Sequence, residues 1–157
     1  MKVEVIGIGE AIISNNPLVC LKTYSLSTCV AVTAHSSLHQ AAGMIHIALP
    51  FPIIGTLEPL SIYRYASTGI PQLFERLRIQ YGCQIKDLII QIFGGAEATN
   101  QQDSFRIGPQ NVEAVKQVLA SLHARCHYEN TGGNRSRTLE MNVSDGCVRV
   151  TTLPLAF

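Results

Sequence analysis

From Thr23 to Leu57 the chain carries no Asp, Glu, Lys or Arg. Charged residues make up 15% of the whole, so a gap of this length marks a segment the fold takes inside. The segment is not a membrane span, because Ser, Thr, His, Gln, Gly and Pro interrupt it repeatedly. It reads as buried sheet lining a weakly charged pocket. Two reactive side chains lie on its apolar runs. Cys29 sits in Leu26-Ser27-Thr28-Cys29-Val30-Ala31-Val32, and His46 in Gly43-Met44-Ile45-His46-Ile47-Ala48-Leu49-Pro50.

The rest of the composition narrows the class. A length of 157 residues with 46% hydrophobic residues predicts one folded domain over 1–157 and argues against disorder. A net charge of +1 without like-charge blocks does not suggest nucleic acid or an anionic membrane as a partner. The apolar stretch Val3 to Ile8 is short and flanked or broken by Glu4 and Glu10, so no secretory signal and no membrane insertion are expected. The five cysteines, Cys20, Cys29, Cys83, Cys126 and Cys147, are odd in number and widely spaced, with no Cys-x-x-Cys. That predicts a reducing cytoplasm rather than a disulfide framework or a zinc knuckle.

Hydrophobic patterning predicts strands over Lys2 to Ile8, Val19 to Leu26, Cys29 to Ala34 and Gly43 to Leu49, with turns over Gly9 to Pro17 and a polar loop over Ser36 to Ala42. Ser61 to Tyr81 is helical, with Leu73, Phe74 and Leu77 on one stripe and Gly82 at its end. Pro71 marks either a kink or the helix start. Asp87 to Phe93 reads as a buried strand followed by Gly94-Gly95. Asn111 to His123 is the clearest helix, with Val112, Val115, Val118, Leu119 and Leu122 on one face. Cys126 to Tyr128, Arg137 to Val143 and Cys147 to Leu153 close the chain as strands, the last two joined at Asp145-Gly146. Strands outnumber helices in an irregular order, so the fold class expected is α+β, with mixed β-sheets packed together and flanking helices.

An imidazole beside a thiol favours the thiolate, the nucleophilic form. Cysteine-dependent acyl transfer, such as amide or ester hydrolysis, is therefore the leading chemistry. The bland alternatives stand beside it. Most free cysteines are small buried apolar residues, and a histidine on an apolar strand is commonly a core residue with its hydrogen bonds met. His35 and His39 read as exposed loop residues. Cys29, His35, His39 and His46 lack a familiar zinc spacing, so no metal and no other cofactor are expected. An oxyanion hole is required, and the N–H groups near Thr28 and Cys29 are candidates, with the Thr28 hydroxyl either helping or capping a turn. Phe93-Gly94-Gly95 either lets a substrate helix approach closely or is a tight turn after a strand. The Asn111 helix reads as packing and N-capping.

These segments together resemble the CheD-type chemoreceptor glutamine deamidases of bacterial chemotaxis. That family typically reads Leu-Gly-Ser-Cys-Val around its cysteine and Gly-Gly-Met-x-His followed by Leu-Pro around its histidine. The matches here are Leu26 to Val30 and Gly43 to Pro50, with seventeen positions from Cys29 to His46. Tyr65-Ala66, Phe93-Gly94-Gly95-Ala96, Ile107-Gly108 with Asn111, and Thr131-Gly132-Gly133 with Arg137 follow in family order. No single match is specific, but the ordered set is.

The resemblance implies a cysteine-hydrolase core similar to that of certain deamidating bacterial toxins. It implies hydrolysis of glutamine side chains on the cytoplasmic helices of methyl-accepting chemoreceptors, with some members also cleaving glutamyl methyl esters. A CheC-type phosphatase is a further implied partner. Cys29 and His46 carry over as the catalytic pair. Thr23, six positions before the cysteine, carries over as the third catalytic residue, against the alternative of an ordinary strand threonine. The chain departs from the pattern at Ser27, usually Gly, at Thr28, usually Ser, at Asn130, usually Asp, and at Ser136, usually Gly. If the usual Gly serves a positive φ or close substrate approach, Ser27 strains or narrows the site. The leading expectation is an active deamidase. The alternative is a regulatory module that binds a CheC-like phosphatase or a receptor with weak or no catalysis.

Overall fold

Strands β4 (Val30–Ser36) and β5 (Ala41–Ile47) are buried at every position, on both faces. That is why their sequences hold no charge: an ionised side chain on either face would lose its water without a partner. The computed structural model describes residues 1–52, 61–97 and 106–155. Positions 53–57 of the charge-free stretch lie outside these.

Around that pair the described residues build two sheets and two α-helices. The first strands are β1 (Lys2–Val5), β2 (Ala11–Ser14) and β3 (Val19–Leu26). After β5 come a 3-10 turn (Ile62–Arg64), helix α1 (Ala66–Tyr81), strand β6 (Ile89–Gly94), helix α2 (Ile107–Ser121), and strands β7 (Cys126–Thr131), β8 (Arg135–Asn142) and β9 (Val148–Pro154). One sheet has the order β2-β5-β4-β6-β7 and the other β1-β3-β8-β9. Pairing is antiparallel except β1 with β3 and β6 with β7, the second joined through α2. The fold is therefore mixed α+β, as expected.

Two cores explain the layering. Leu21, Leu26, Leu139 and Met141 of the four-stranded sheet pack on Ala31, Ala42, Met44 and Phe93 of the five-stranded sheet. On the opposite face of the five-stranded sheet, Val30, Val32, Ile45 and Ile47 pack on Ile70, Leu73 and Leu77 of α1 and on Val115 and Leu119 of α2. Each such side chain, fully buried, contributes roughly 1.5–3 kcal/mol, so both layers depend on the central sheet.

The structure corrects several expectations. The turn-rich segment holds a strand, β2, which pairs with β5 from Ala11↔Ile45 to Ser14↔Ala42. The loop between β4 and β5 is confined to residues 37–40, because β4 runs on through Ser36 and β5 begins at Ala41. His35 is consequently buried, not exposed, with Nε2 3.0 Å from the Val143 carbonyl oxygen across the sheet interface. His39 is partly buried, with Nε2 3.3 Å from an Asp87 carboxylate oxygen. Pro71 lies inside α1, which begins five residues earlier at Ala66.

Candidate functional site

Cys29 stands in the bend immediately before β4, and His46 is the sixth residue of β5. The register pairs Ala31 with His46, so these two share a face. Cys29 packs in the same cluster as Ala31, between the two sheets, and so lies on that face too. Diagonal neighbours of this kind stand about 7–8 Å apart at the backbone, within reach of long side chains. In this state no hydrogen bond joins the Cys29 thiol to the imidazole. His46 Nε2 is buried without a partner.

The other ring nitrogen is held. His46 Nδ1 lies 2.7 Å from Thr23 Oγ1, and the Thr23 hydroxyl donates to the Ile6 carbonyl at 2.7 Å. A hydroxyl has one proton. Since it goes to Ile6, the threonine accepts from Nδ1–H, and this fixes the tautomer in which Nε2 carries the lone pair. Thr23 reaches the ring from the four-stranded sheet, facing inward on β3 beside Leu21. The bond therefore crosses the sheet interface, as do His35 to Val143 and the Arg137 contacts described below.

Electrostatics leave both reactive groups uncharged at rest. Burial lowers the pKa of His46 to about 4. Burial also pushes the Cys29 thiol up, with the Arg64 guanidinium acting in the opposite direction. At rest the site thus holds a neutral thiol and a neutral imidazole. We expect Thr23→Val to reduce turnover on the order of 10²-fold, because the ring loses its orientation. The loss of two buried hydrogen-bond partners costs about 1–3 kcal/mol. Thr23→Ser restores both. Turnover measured beside urea melts separates the effects, and a Val variant that melts earlier but turns over normally would remove Thr23 from the catalytic group.

The loop around the cysteine is fixed from behind. Asn111 on α2 is fully buried and donates from Nδ2 to the Thr28 carbonyl at 2.9 Å and the Ala48 carbonyl at 3.0 Å. It ties the Cys29 loop to the strand end beyond His46, more than a packing role. Gly95 N donates to Cys29 O and Ala96 N to Ser27 O. A Cβ at Gly94, whose φ is +107°, would fall 2.3 Å from Cys29 O, so no other residue fits there. Phe93, Gly94 and Gly95 are all buried, and the contacts they make are with this loop, α2 and the core. Ser27 is half-buried and its φ is not positive, so it carries no backbone strain there; Ser25 is the residue at φ +53°. Among the described residues the N–H groups of Thr28 and Cys29 donate to no acceptor, nor does the Thr28 hydroxyl make a hydrogen bond. These donors have the free valence an oxyanion requires.

Sequence reading passed over Arg64. It ends the 3-10 turn beside the site, and nothing local in Tyr63-Arg64-Tyr65 signals its position. Arg137, matched but given no role, is buried and donates to Asn130 Oδ1 at 3.0 Å and the Gly132 carbonyl at 2.8 Å, with the Gly94 carbonyl at 3.5 Å. Every one of these acceptors is neutral, and burial pushes the guanidinium's pKa down. We expect Asn130→Asp to raise stability by about 1 kcal/mol at pH 7, since a carboxylate bonds a buried cation more strongly than an amide. The new carboxyl would have a depressed folded pKa, so the gain is full above its unfolded pKa and disappears as pH falls through the folded one. Urea melts at neutral and acid pH test this, and equal melts at neutral pH would contradict it.

No helix among the described residues is long and apolar enough to cross a membrane. A family model described as CheD chemotactic sensory transduction matches residues 55–152. The chain is 37% identical to a probable chemoreceptor glutamine deamidase CheD of Syntrophotalea carbinolica, over 93% of this chain and 91% of that one. It is 36% identical to the chemoreceptor glutamine deamidase CheD of Thermotoga maritima, over 91% and 87% respectively. It is 28% identical to the Bacillus subtilis protein of the same name, over 94% and 90%. Among solved structures, the hypothetical protein YfiH of Bacillus licheniformis aligns with a TM-score of 0.49 at 12% identity, over 82% of this chain and 58% of that one.

Proposed function

The chain belongs to the CheD family of chemotactic sensory transduction, and on that premise we propose that it deamidates glutamine side chains on chemoreceptor cytoplasmic helices, with Cys29 as nucleophile. The observation that carries the mechanism is the Thr23–His46 bond of 2.7 Å, which leaves a buried, unpartnered Nε2 on the face that holds Cys29. A buried histidine kept only for packing would have both nitrogens satisfied.

The steps follow from the tautomer. His46 Nε2 takes the thiol proton as the Cys29 sulfur attacks the side-chain carbonyl carbon of glutamine. The Thr28 and Cys29 N–H groups receive the oxyanion. The tetrahedral intermediate collapses by breaking the C–N bond, and the imidazolium gives its proton to the departing ammonia. His46 then takes a proton from water, which attacks the thioester carbonyl, and the C–S bond breaks to release glutamate and the thiol. No cofactor enters. Sulfur and Nε2 would close on each other when substrate binds, since apo sites commonly tighten then. Selectivity comes from docking a receptor helix, because one glutamine side chain offers little binding surface. The working place is the cytoplasm.

One observation favours a second reading. The thiol is pushed up by burial and makes no hydrogen bond to His46, as expected of a module that binds a CheC-like phosphatase or a receptor and turns over weakly. The deciding experiment incubates the protein with receptor cytoplasmic fragments and follows the roughly 1 Da gain of Gln→Glu by peptide mass spectrometry. Conversion by the wild type supports the deamidase. Its absence on several receptors, with retained binding to phosphatase or receptor, establishes the module instead.

A further inference from the structure

We propose that Arg64 is the fixed positive charge that stabilises the Cys29 thiolate, a positioning role that rests on Cys29 being the nucleophile. Arg64 is tied directly to the strand end facing the cysteine. Its carbonyl accepts from Ala48 N at 2.9 Å and Leu49 N at 3.1 Å, and Ala48 is the residue that Asn111 links to Thr28. The stem of Arg64 lies over Gly9, where a Cβ would meet its Cβ at 3.5 Å. Gly9 N in turn donates to the His46 carbonyl at 2.9 Å. Arg64 is thus seated against the loop before β2 and the end of β5, and Asn111 joins that end to the cysteine loop.

One donor of its head group is unsatisfied. Arg64 Nε is buried and has no hydrogen-bond partner, and among the described residues no carboxylate pairs with it. A buried guanidinium N–H left without an acceptor is costly, and a neighbouring thiolate offsets that cost. The direction of its effect on the Cys29 thiol agrees, since Arg64 is the charge that favours ionisation against burial.

Among the described residues no other cation takes this place. His46 is neutral above about pH 4. Glu10 accepts from Gly7 N at 2.6 Å, and Glu97 pairs with Arg106 at 2.6 Å. Arg137 directs its guanidinium at Asn130, Gly132, Gly94 and Arg135. The bend itself, Phe93 to Ala96 and Asn111 carry no charge. With no imidazolium at rest, Arg64 is the cation left to hold a thiolate.

The test measures the pH profile of Cys29 alkylation by iodoacetamide, read on the Cys29 peptide by mass spectrometry because the chain holds four other cysteines. Arg64→Gln keeps most of the stem over Gly9 and leaves the backbone bonds in place. We expect alkylation about tenfold slower near neutral pH, with rates converging on the wild type at alkaline pH, and Arg64→Lys restoring most of the loss. A uniform slowing at every pH would mean altered access and would overturn the proposal, as would a profile superimposable on the wild type in a variant with an unchanged melt. If Arg64→Gln does not fold, the salt dependence of wild-type alkylation decides, and a rate near neutral pH that added salt leaves unchanged overturns the proposal. The readout needs no receptor, so a failed deamidation assay and a failed Arg64 effect are separate results.

Discussion

Cys29→Ala is expected to abolish deamidation of receptor fragments, a fall of at least about 10³-fold, while the protein still folds. In the proposed mechanism Cys29 forms the thioester, and no other thiol replaces it: Cys20 is buried on β3, Cys83 is buried just after α1, Cys126 begins β7 and Cys147 follows the β8–β9 turn. Folding should survive because Cys29 is only partly buried and packs at the edge of the inter-sheet core. Loss of one small side chain there costs about 1 kcal/mol or less. Glutamine-to-glutamate conversion by mass spectrometry, with a urea melt alongside, reads both. Conversion by the alanine variant at the wild-type rate would end the thioester mechanism.

His46→Gln is expected to remove turnover by at least about 10³-fold, and it also carries a stability signature. In the fold the imidazole has a pKa of about 4 against an ordinary 6.5. Between those values the unfolded chain binds the proton and the folded chain does not, so stability rises with pH across the window. The contribution is whole above pH 6.5 and is lost as pH falls toward 4. Its size is on the order of 3 kcal/mol for a ring this buried. Wild-type urea stability should therefore fall steeply between pH 6.5 and 4, and His46→Gln should flatten that fall. The acid limb of turnover belongs near pH 4 for the same reason, because the protonated ring cannot accept the thiol proton. An acid limb near 6.5 with a flat stability profile would show that the ring is wet and unshifted.

How much of this was legible depended on the range of the interaction. The strand that follows Cys29 and the strand that bears His46 were visible because burial on both faces excludes charge from β4 and β5, a constraint written into every residue. Helices α1 and α2 announced themselves by stripes such as Leu73, Phe74 and Leu77, which the core confirms. Strand β2 did not, since four residues beside Asn15-Asn16-Pro17 look like a turn until β5 pairs with them. His35 was misplaced for a related reason. The end of a strand is set by what covers it, and Gly146 and Val143, more than a hundred positions away, cover this one.

The site divides along the same line. Its residue types and their order were legible, and the ordered set pointed to the family before any geometry was seen. Thr23 entered through that resemblance; its proximity to His46 is a contact between two different sheets. Asn111 reaches Thr28 across 83 positions and Ala48 across 63, and no local pattern encodes such a clamp. Gly94 read either as a place for a substrate to approach or as a tight turn, and in the structure the carbonyl of Cys29 fills the space where its Cβ would stand.

By itself the sequence determined the buried central sheet and the α+β class, because these follow from which side chains tolerate loss of water. Only the tertiary structure decided the imidazole tautomer, the depth that keeps His46 neutral, the seat of Arg64 and the neutral cage around Arg137. Each of those depends on atoms brought together from separate strands, turns and helices, and the energy of a hydrogen bond or a buried charge is set by that meeting and by nothing in either segment alone.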